Sequence, residues 1–405
     1  MRQGLSREGD ERFLRLDLLM KKVYFDHNAT TPTLPGVAEF VQPLFSEFFG
    51  NPSSLHWAGR AVTKYLEDAR EAIAGMIRAR PEEIVFTGCG SESDNHALKG
   101  VAFARRKRGN HIITTTVEHP AVLNTCRYLE TLGYVVTYLP VDSHGQLEPD
   151  DVRKAIRKET ILISAMYANN ETGSVFPIGE IARIAREGGI VFHSDMIQAM
   201  GKMDIDMESL EVDLASFAGH KVYAPKGVGV LYVRRGLEID NLIHGGHQEG
   251  GRRAGTENVI GAVAFGRACE IIGHDLPKET QRIEGLRKRL LAGIVENIDH
   301  VVVNGHPTSR LPNTLNLSFE SVEAESLLIA LDLKGVAVAS GSACSSGSTE
   351  PSHVLLAMGI PAATCQSAIR FSLGRSNTEE DIEYTLSILP DMVERLRVMS
   401  PLHKN

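Results

Sequence analysis

The chain has 405 residues, 43 of them basic and 51 acidic, for a net charge of −8. That length exceeds one small core and suits a large domain with a smaller one attached. The acidity is spread along the sequence without a basic block, which argues against nucleic acid as the main partner, and no apolar run is long enough to span a bilayer.

Residues 1–19 read as an N-terminal extension, because Met20-Lys21-Lys22-Val23-Tyr24-Phe25-Asp26-His27-Asn28 would itself make a natural start. The segment from Met1 to Lys22 is charged throughout and lacks the apolar centre of a secretory signal, so a cytoplasmic location is expected. Apolar, partly β-branched runs then recur at Glu83 to Phe86, His111 to Thr115, Tyr134 to Leu139, Thr160 to Met166, Ile190 to Phe192, Leu214 to Phe217 and Val228 to Val233. Most are separated by amphipathic stretches such as Ala61 to Arg78, Asp150 to Arg157 and Ile178 to Glu187. This alternation predicts an α/β fold around a mainly parallel, seven-stranded sheet. After about Leu276 the pattern changes to a charged helix near Gln281 to Asn297, strands near Val301 to Val303, Asn313 to Ser318, Val336 to Ala339 and Ser367 to Ser372, and a last helix from about Glu379 to Arg397. A second, α+β domain is expected there. The division reads as residues 31–278 for the large domain, and 20–30 with 279–405 for the small one.

Five cysteines, at positions 89, 126, 269, 344 and 365, form no C-x-x-C or metal-finger spacing, so free thiols and no metal site are expected. Most of them suit buried positions. Cys344 differs, because Ala339-Ser340-Gly341-Ser342-Ala343-Cys344-Ser345-Ser346-Gly347-Ser348 is a run of small, turn-forming residues unsuited to a rigid core.

Two polar residues stand at the ends of strand-like runs. Lys221 follows Ser216-Phe217-Ala218-Gly219-His220 and opens a Gly/Pro-rich turn, where a partly desolvated lysine can lose its proton and form a Schiff base. Asp195 ends the run through Phe192-His193-Ser194, with Gln198 about one helical turn on. Either residue alone has a plain reading, as a solvated loop lysine or a capping aspartate. Together they suit pyridoxal 5'-phosphate, which needs a lysine for its aldehyde and an acid for its ring nitrogen.

Open α/β sheets bind ligands at the C-terminal ends of their strands, and His119, Asn170, Asp195 and Lys221 all fall near such ends. The turn Thr87-Gly88-Cys89-Gly90-Ser91-Glu92 joins a strand to a helix, where Gly90 lets backbone N–H groups approach an anion; it reads as a phosphate cup or as an ordinary helix cap. His119, before Pro120, is a helix cap or a ring that stacks on a cofactor and moves protons near neutral pH. Arg370, inside an apolar strand, binds a substrate carboxylate or forms a structural salt bridge.

These residues carry a resemblance. From Val23 to about Arg397 the chain resembles the NifS/IscS-type cysteine desulfurases, which are fold-type I pyridoxal phosphate enzymes. The likeness rests on Tyr24-Phe25-Asp26-His27-Asn28-Ala29-Thr30-Thr31-Pro32, Gly50-Asn51-Pro52-Ser53-Ser54, Glu118-His119, Asn169-Asn170-Glu171-Thr172-Gly173, Gly219-His220-Lys221, Arg253-Ala254-Gly255-Thr256 and Ser342-Ala343-Cys344-Ser345-Ser346-Gly347. It implies that Lys221 binds the cofactor covalently, Asp195 pairs with the ring nitrogen, and Gln198 and Asn170 lie near the phenolic oxygen. His119 would stack on the ring, Gly90, Ser91 and His220 would serve the phosphate, and Arg370 would take the carboxylate of L-cysteine. Cys344 would accept sulfur as a persulfide. Thr256 would reach the cofactor phosphate of a neighbouring subunit, which implies a homodimer with shared sites.

Two positions depart from the family pattern. Ser91 stands where relatives often have threonine, and Ala218 where they often have serine; the second departure is expected to remove a phosphate hydrogen bond. Another fold-type I enzyme, an aminotransferase or a selenocysteine lyase, would share Lys221 and Asp195, but Cys344 speaks against it; a non-catalytic scaffold in sulfur trafficking would not need the full set. The short tail after Met392 to Leu402 leans towards a NifS-like enzyme that serves a NifU/IscU-like scaffold in iron-sulfur cluster assembly.

Overall fold

The computed structural model describes residues 21–340 and 350–400. Cys344 and the 1–19 extension lie outside the described residues.

After a two-residue strand β1 (Val23–Tyr24) the chain runs through helix α1 (Trp57–Met76) into the first strand of the main sheet, β2 (Ile84–Thr87). Helix α2 (Gly90–Arg105), β3 (His111–Thr115), α3 (Pro120–Thr131), β4 (Val135–Leu139), α4 (Pro149–Ala155), β5 (Thr160–Ser164), α5 (Ile178–Glu187), β6 (Val191–Asp195), β7 (Leu214–Ala218) and β8 (Gly229–Val233) follow. The seven strands order as β2-β8-β7-β6-β5-β3-β4. All pairings are parallel except those of β8, which runs antiparallel to both β2 and β7.

Side chains alternate across a strand, and the sheet uses both faces. Ile163, Phe192, Ala215 and Phe217 pack with Leu66 and Ile73 of α1 and Ile181 and Ile184 of α5 on one side. Leu162, Val191, Leu214 and Leu231 pack with Ala97, Leu98 and Val101 of α2 and Val122 and Cys126 of α3 on the other. Burial on both faces explains why these strands read as nearly continuous apolar runs.

A 39-residue helix, α6 (Val259–Asn297), leaves this assembly. Its first half packs on α1, where Gly266 lets the backbones close in: a Cβ there would lie 2.5 Å from Ala69 Cα. The helix is therefore longer than the Gln281 to Asn297 segment expected from sequence. It bends at Asp275 (φ −129°), two residues before Pro277, whose ring cannot supply an N–H and crowds the preceding turn.

Beyond the bend lie β9 (Val301–Asn304), β10 (Thr314–Phe319), α7 (Ala324–Asp332), β11 (Val336–Ala337), β12 (Ala339–Ser340), β13 (Ala368–Ser372) and α8 (Glu379–Met399). The run Val336 to Ala339, expected as one strand, divides: β11 pairs with β1 and β12 with β13. A separate apolar cluster holds this region together, joining Val23 and Phe25 to Leu286, Leu290, Leu317, Leu327, Phe371 and Leu389. Among the described residues no helix is long and apolar enough to cross a membrane.

Candidate active site

The C-terminal ends of β6 and β7 are adjacent, with Asp195 in register with Ser216. Lys221 follows β7 in a one-turn 3-10 segment, Gly219–Lys221. That turn is tight, since a Cβ on Gly219 would stand 2.8 Å from Val228 Cγ1. Lys221 Nζ donates to the carbonyl oxygens of Asn28 and Ala29, both at 2.6 Å. Asp195 is 6% exposed; its Oδ1 accepts the Ile197 N–H at 2.9 Å, and no cation lies within ion-pair distance among the described residues. Burial pushes its carboxyl up to about 6, opposed by the Ile197 N–H and by the charge of Lys221. Gln198 sits in a run of turns rather than a helix. Its Nε2 donates to Asn28 O at 3.0 Å and its Oε1 accepts from Lys202 Nζ at 2.9 Å.

Asn28 is thus the hub that ties these side chains to the small sheet. Its amide nitrogen donates to Asn170 O at 3.1 Å and Thr314 Oγ1 at 2.8 Å, and its Oδ1 accepts from Asn313 at 3.0 Å. Asn28 and Lys202 are site residues that sequence reasoning did not single out. The available signals were the polar Asp26-His27-Asn28 trio closing a β-strand start, and a lysine following Gly201 in an apolar stretch. Burial lowers the Lys202 ammonium to about 7, helped by the charges of Lys221 and Arg370.

His119 caps α3: its Nδ1 accepts the Ala121 N–H at 3.1 Å, so Nε2 is the nitrogen left to carry a proton towards a ligand. Burial, then the charge of Lys221, lowers this imidazole to about 4, so it is neutral at pH 7. Beside it Glu118 is wholly buried, with Oε1 accepting from Thr115 Oγ1 at 2.8 Å and Met166 N at 3.0 Å. Burial raises that carboxyl to about 8.

Arg370 lies on β13 and is 1% exposed. Its guanidinium is paired: Nη2 donates to Asp26 Oδ1 at 2.7 Å and Nη1 to Asn170 O at 3.0 Å, whereas Nε has no hydrogen-bond partner. The structural salt bridge weighed from sequence is present, and it engages only part of the fork, which has five N–H donors. Both Arg370 and Lys221 are linked through Asn28 or Asn170 to one small volume.

At the Gly-rich turn, α2 begins at Gly90 with Cys89 as its cap and no side chain satisfying the first N–H groups. A Cβ on Gly90 would lie 2.3 Å from Ile197 Cδ1 and 3.3 Å from Ala218 Cβ, so the backbone approaches the Asp195 loop as only glycine allows. Ser91 is exposed on the first turn, and His220 Nδ1 meets Thr30 Oγ1 at 3.2 Å. Thr256 is exposed and lines a separate cleft of about 240 Å³ with Thr87, Gly88 and Arg253. A phosphorylated pyridine aldehyde fits this set: a buried carboxylate with no cation at ion-pair distance, an amine beyond the end of the neighbouring strand, and an open helix N-terminus with a glycine-width approach.

A family model described as aminotransferase class-V matches residues 23–385. The chain belongs to the class-V aminotransferases. It is 50% identical over 383 residues to a cysteine desulfurase IscS of Dictyoglomus turgidum, covering 95% of this chain and 97% of that protein. It is 49% identical to a cysteine desulfurase of Nostoc, over 94% of this chain and 95% of that one. A solved NifS-like protein superposes with a TM-score of 0.87 at 39% identity, covering 93% of this chain and all of the other. A structure of SspA in complex with cysteine superposes with a TM-score of 0.79 at 38% identity, covering 87% and 99%. As a class-V aminotransferase close to these proteins, this chain is a fold-type I, pyridoxal phosphate-dependent enzyme of the cysteine desulfurase kind.

Proposed function

We propose that the enzyme converts L-cysteine to L-alanine and carries the sulfur as a persulfide on Cys344, for delivery to an iron-sulfur cluster scaffold of the NifU/IscU kind. The observation that carries this reading is that Asn28 and Asn170 hold Lys221 and Arg370, while Asp195 and His119 both feel the Lys221 charge, in a chain half identical to a cysteine desulfurase.

Pyridoxal phosphate, when bound, supplies an electrophile for the substrate amine and a sink for charge developing at its carbon atoms. Lys221 would be the amine that holds it, and Asp195 would keep a proton on its ring nitrogen. Gln198 and Asn170 would serve its phenolic side, His119 would cover the ring, and Gly90, Ser91 and His220 would receive its phosphate. The Arg370 guanidinium binds the cysteine carboxylate and sets which face is presented. His119, neutral at pH 7, takes or gives a proton at Nε2. The Cys344 thiolate attacks the substrate sulfur; an S–S bond forms, the C–S bond breaks, and the carbon skeleton leaves as alanine after protonation.

We read residues 31–278 as the large domain and 20–30 with 279–405 as the small one, supported by the bend at Asp275 and the separate apolar cluster beyond it. The active unit is a homodimer in the cytoplasm. Supporting this, Leu55 (90% exposed) and Trp57 (70%) flank the Gly50 to Ser54 motif as large apolar side chains, alongside exposed Phe45 and Phe49. Thr256 from one subunit then serves the cofactor phosphate of the other. Incubation with L-cysteine and a thiol should release alanine and sulfide in equal amounts, with no amino-group transfer to added keto acids. Transamination without sulfide would overturn the reading.

A further inference from the structure

Beneath Asp195 lies a buried polar layer that the proposed reaction does not use. His193 is two residues before Asp195 on β6, so both side chains face α2. Its Nδ1 meets Ser164 Oγ at 2.9 Å and its Nε2 meets Ser216 Oγ at 3.0 Å. Asp94, from the first turns of α2, enters the same layer. Asp94, His193, Ser164 and Ser216 are all completely buried.

Asp94 is the anomaly. Its Oδ1 stands 3.6 Å from His193 Nε2, beyond hydrogen-bond reach, and neither carboxyl oxygen has a hydrogen-bond partner. No lysine or arginine pairs with it among the described residues. His193 is no counter-ion, because both its nitrogens are already engaged by hydroxyls and burial lowers it to about 3. A carboxylate in such a place has no cation to pair with and no hydrogen bond of good geometry, so the neutral acid is the stable form. The groups facing Asp94 point the same way. Burial raises it well above the usual carboxylate range, the negative charge of Asp195 adds to this, the Ser216 hydroxyl opposes it, and Glu118 adds a little more. Lys221 is the cation on the Asp195 side of the layer.

We propose that Asp94 is a positioning residue for Asp195: it stays protonated, so that Asp195 holds the single negative charge of this layer and offers it to the cofactor's ring nitrogen. The proposal rests on the reading of Asp195 as the partner of that nitrogen. Two neighbouring carboxyls cannot both ionise cheaply, so an ionised Asp94 would drive the proton onto Asp195 and discharge it. The carboxylic acid also presents a donor towards Ser216, which stands in register with Asp195 and holds the His193 ring.

Asp94→Asn and Asp94→Ala in the full-length protein test this. The infrared difference between wild type and D94N at pH 7 is expected to show a protonated-carboxyl band in the wild type and no loss of carboxylate signal. A lost carboxylate band overturns the proposal, and this reading needs neither cofactor nor cysteine, so it is independent of the proposed activity. In cofactor-loaded protein, the pH midpoint of the visible band should move by about one unit in D94A, with roughly tenfold weaker cofactor binding, and return to within about twofold in D94N, whose amide is neutral and donates. D94A matching the wild type, or D94N shifted as far as D94A, also overturns it. Should D94A fail to fold, the infrared result and the D94N titration decide alone.

Discussion

Arg370 Nη2 and Asp26 Oδ1 lie 2.7 Å apart, joining the middle of β13 to the segment that follows β1 across 344 positions of sequence. The bond fixes the plane of the guanidinium while Nε stays without a partner. A fork held in this way meets a carboxylate without reorganising, which lysine in its place cannot do. Arg370→Lys should raise the KM for cysteine about tenfold or more while the bound cofactor keeps its visible band. Unchanged cysteine kinetics in a folded variant would remove Arg370 from substrate binding.

Two lysines compete for the covalent role. Burial lowers the Lys202 ammonium to about 7, but it is engaged by Gln198 O at 3.1 Å and Gln198 Oε1 at 2.9 Å. Lys221 donates to the backbone carbonyls of Asn28 and Ala29 at the strand-end side, and it is the amine expected to bind the cofactor. Borohydride reduction followed by digestion should place the pyridoxyl label on Lys221, and Lys221→Ala should be colourless. A label on Lys202 or Lys226 contradicts the assignment.

Gly90→Ala would drive a methyl to within 2.3 Å of Ile197 Cδ1. The loop carrying Asp195 and the start of α2 would have to separate, and cofactor binding should weaken roughly tenfold or more, since overpacking at a site without slack costs about 1–3 kcal/mol. Adding Ile197→Ala removes the clashing atom and should restore most of the affinity. A G90A protein that binds the cofactor as tightly as the wild type would show that this contact is not needed.

Two buried acids should withdraw stability as the pH rises towards 8. Glu118 loses its proton at about 8 in the folded chain and near its ordinary value when unfolded, and Glu171 behaves likewise at about 7. The folded state therefore binds more protons than the unfolded state between those limits, and stability declines as pH rises through them. His27, His96 and His119, lowered to about 4, act in the opposite sense, but only below the ordinary histidine range. Above pH ~7 the lowered Lys202 ammonium opposes the acids, because the unfolded chain then keeps a proton that the folded chain has lost, so Glu118 is isolated by comparing variants: Glu118→Gln, which keeps an oxygen for Thr115 and Met166, should fall less steeply than the wild type from pH ~6.5 to ~8, by roughly 2–4 °C in Tm. Parallel Tm curves for the two proteins would count against a protonated Glu118.

Sulfur should collect on Cys344. Cys126, Cys269 and Cys365 are buried, and burial raises all three thiols, Cys126 to about 12. Cys89 is the exposed alternative among the described cysteines. Mass spectrometry after brief exposure to cysteine should find one added sulfur on the peptide containing Cys344, and Cys344→Ala should bind cysteine yet release almost no sulfide. Sulfur on the Cys89 peptide would reassign the acceptor.

The strand-helix alternation, the seven sheet strands and the strand-end positions of Lys221 and Asp195 were all determined by local pattern, because side-chain period and turn chemistry act over a few residues. The motifs from Tyr24 to Pro32 and around Lys221 likewise announced the family. Tertiary structure alone decided what those positions touch. Nothing near Asn28 in sequence says that its carbonyl meets Lys221 and Gln198 or that its side chain meets Asn170, Thr314 and Asn313. The same holds for the Arg370–Asp26 pair and for Asp94, whose place at the head of α2 resembles that of any exposed helix acid until β6 and β7 enclose it. Hydrogen bonds and burial depend on which strands become neighbours, and the order β2-β8-β7-β6-β5-β3-β4 is a property of the folded chain as a whole, with each strand's partners drawn from distant parts of the sequence.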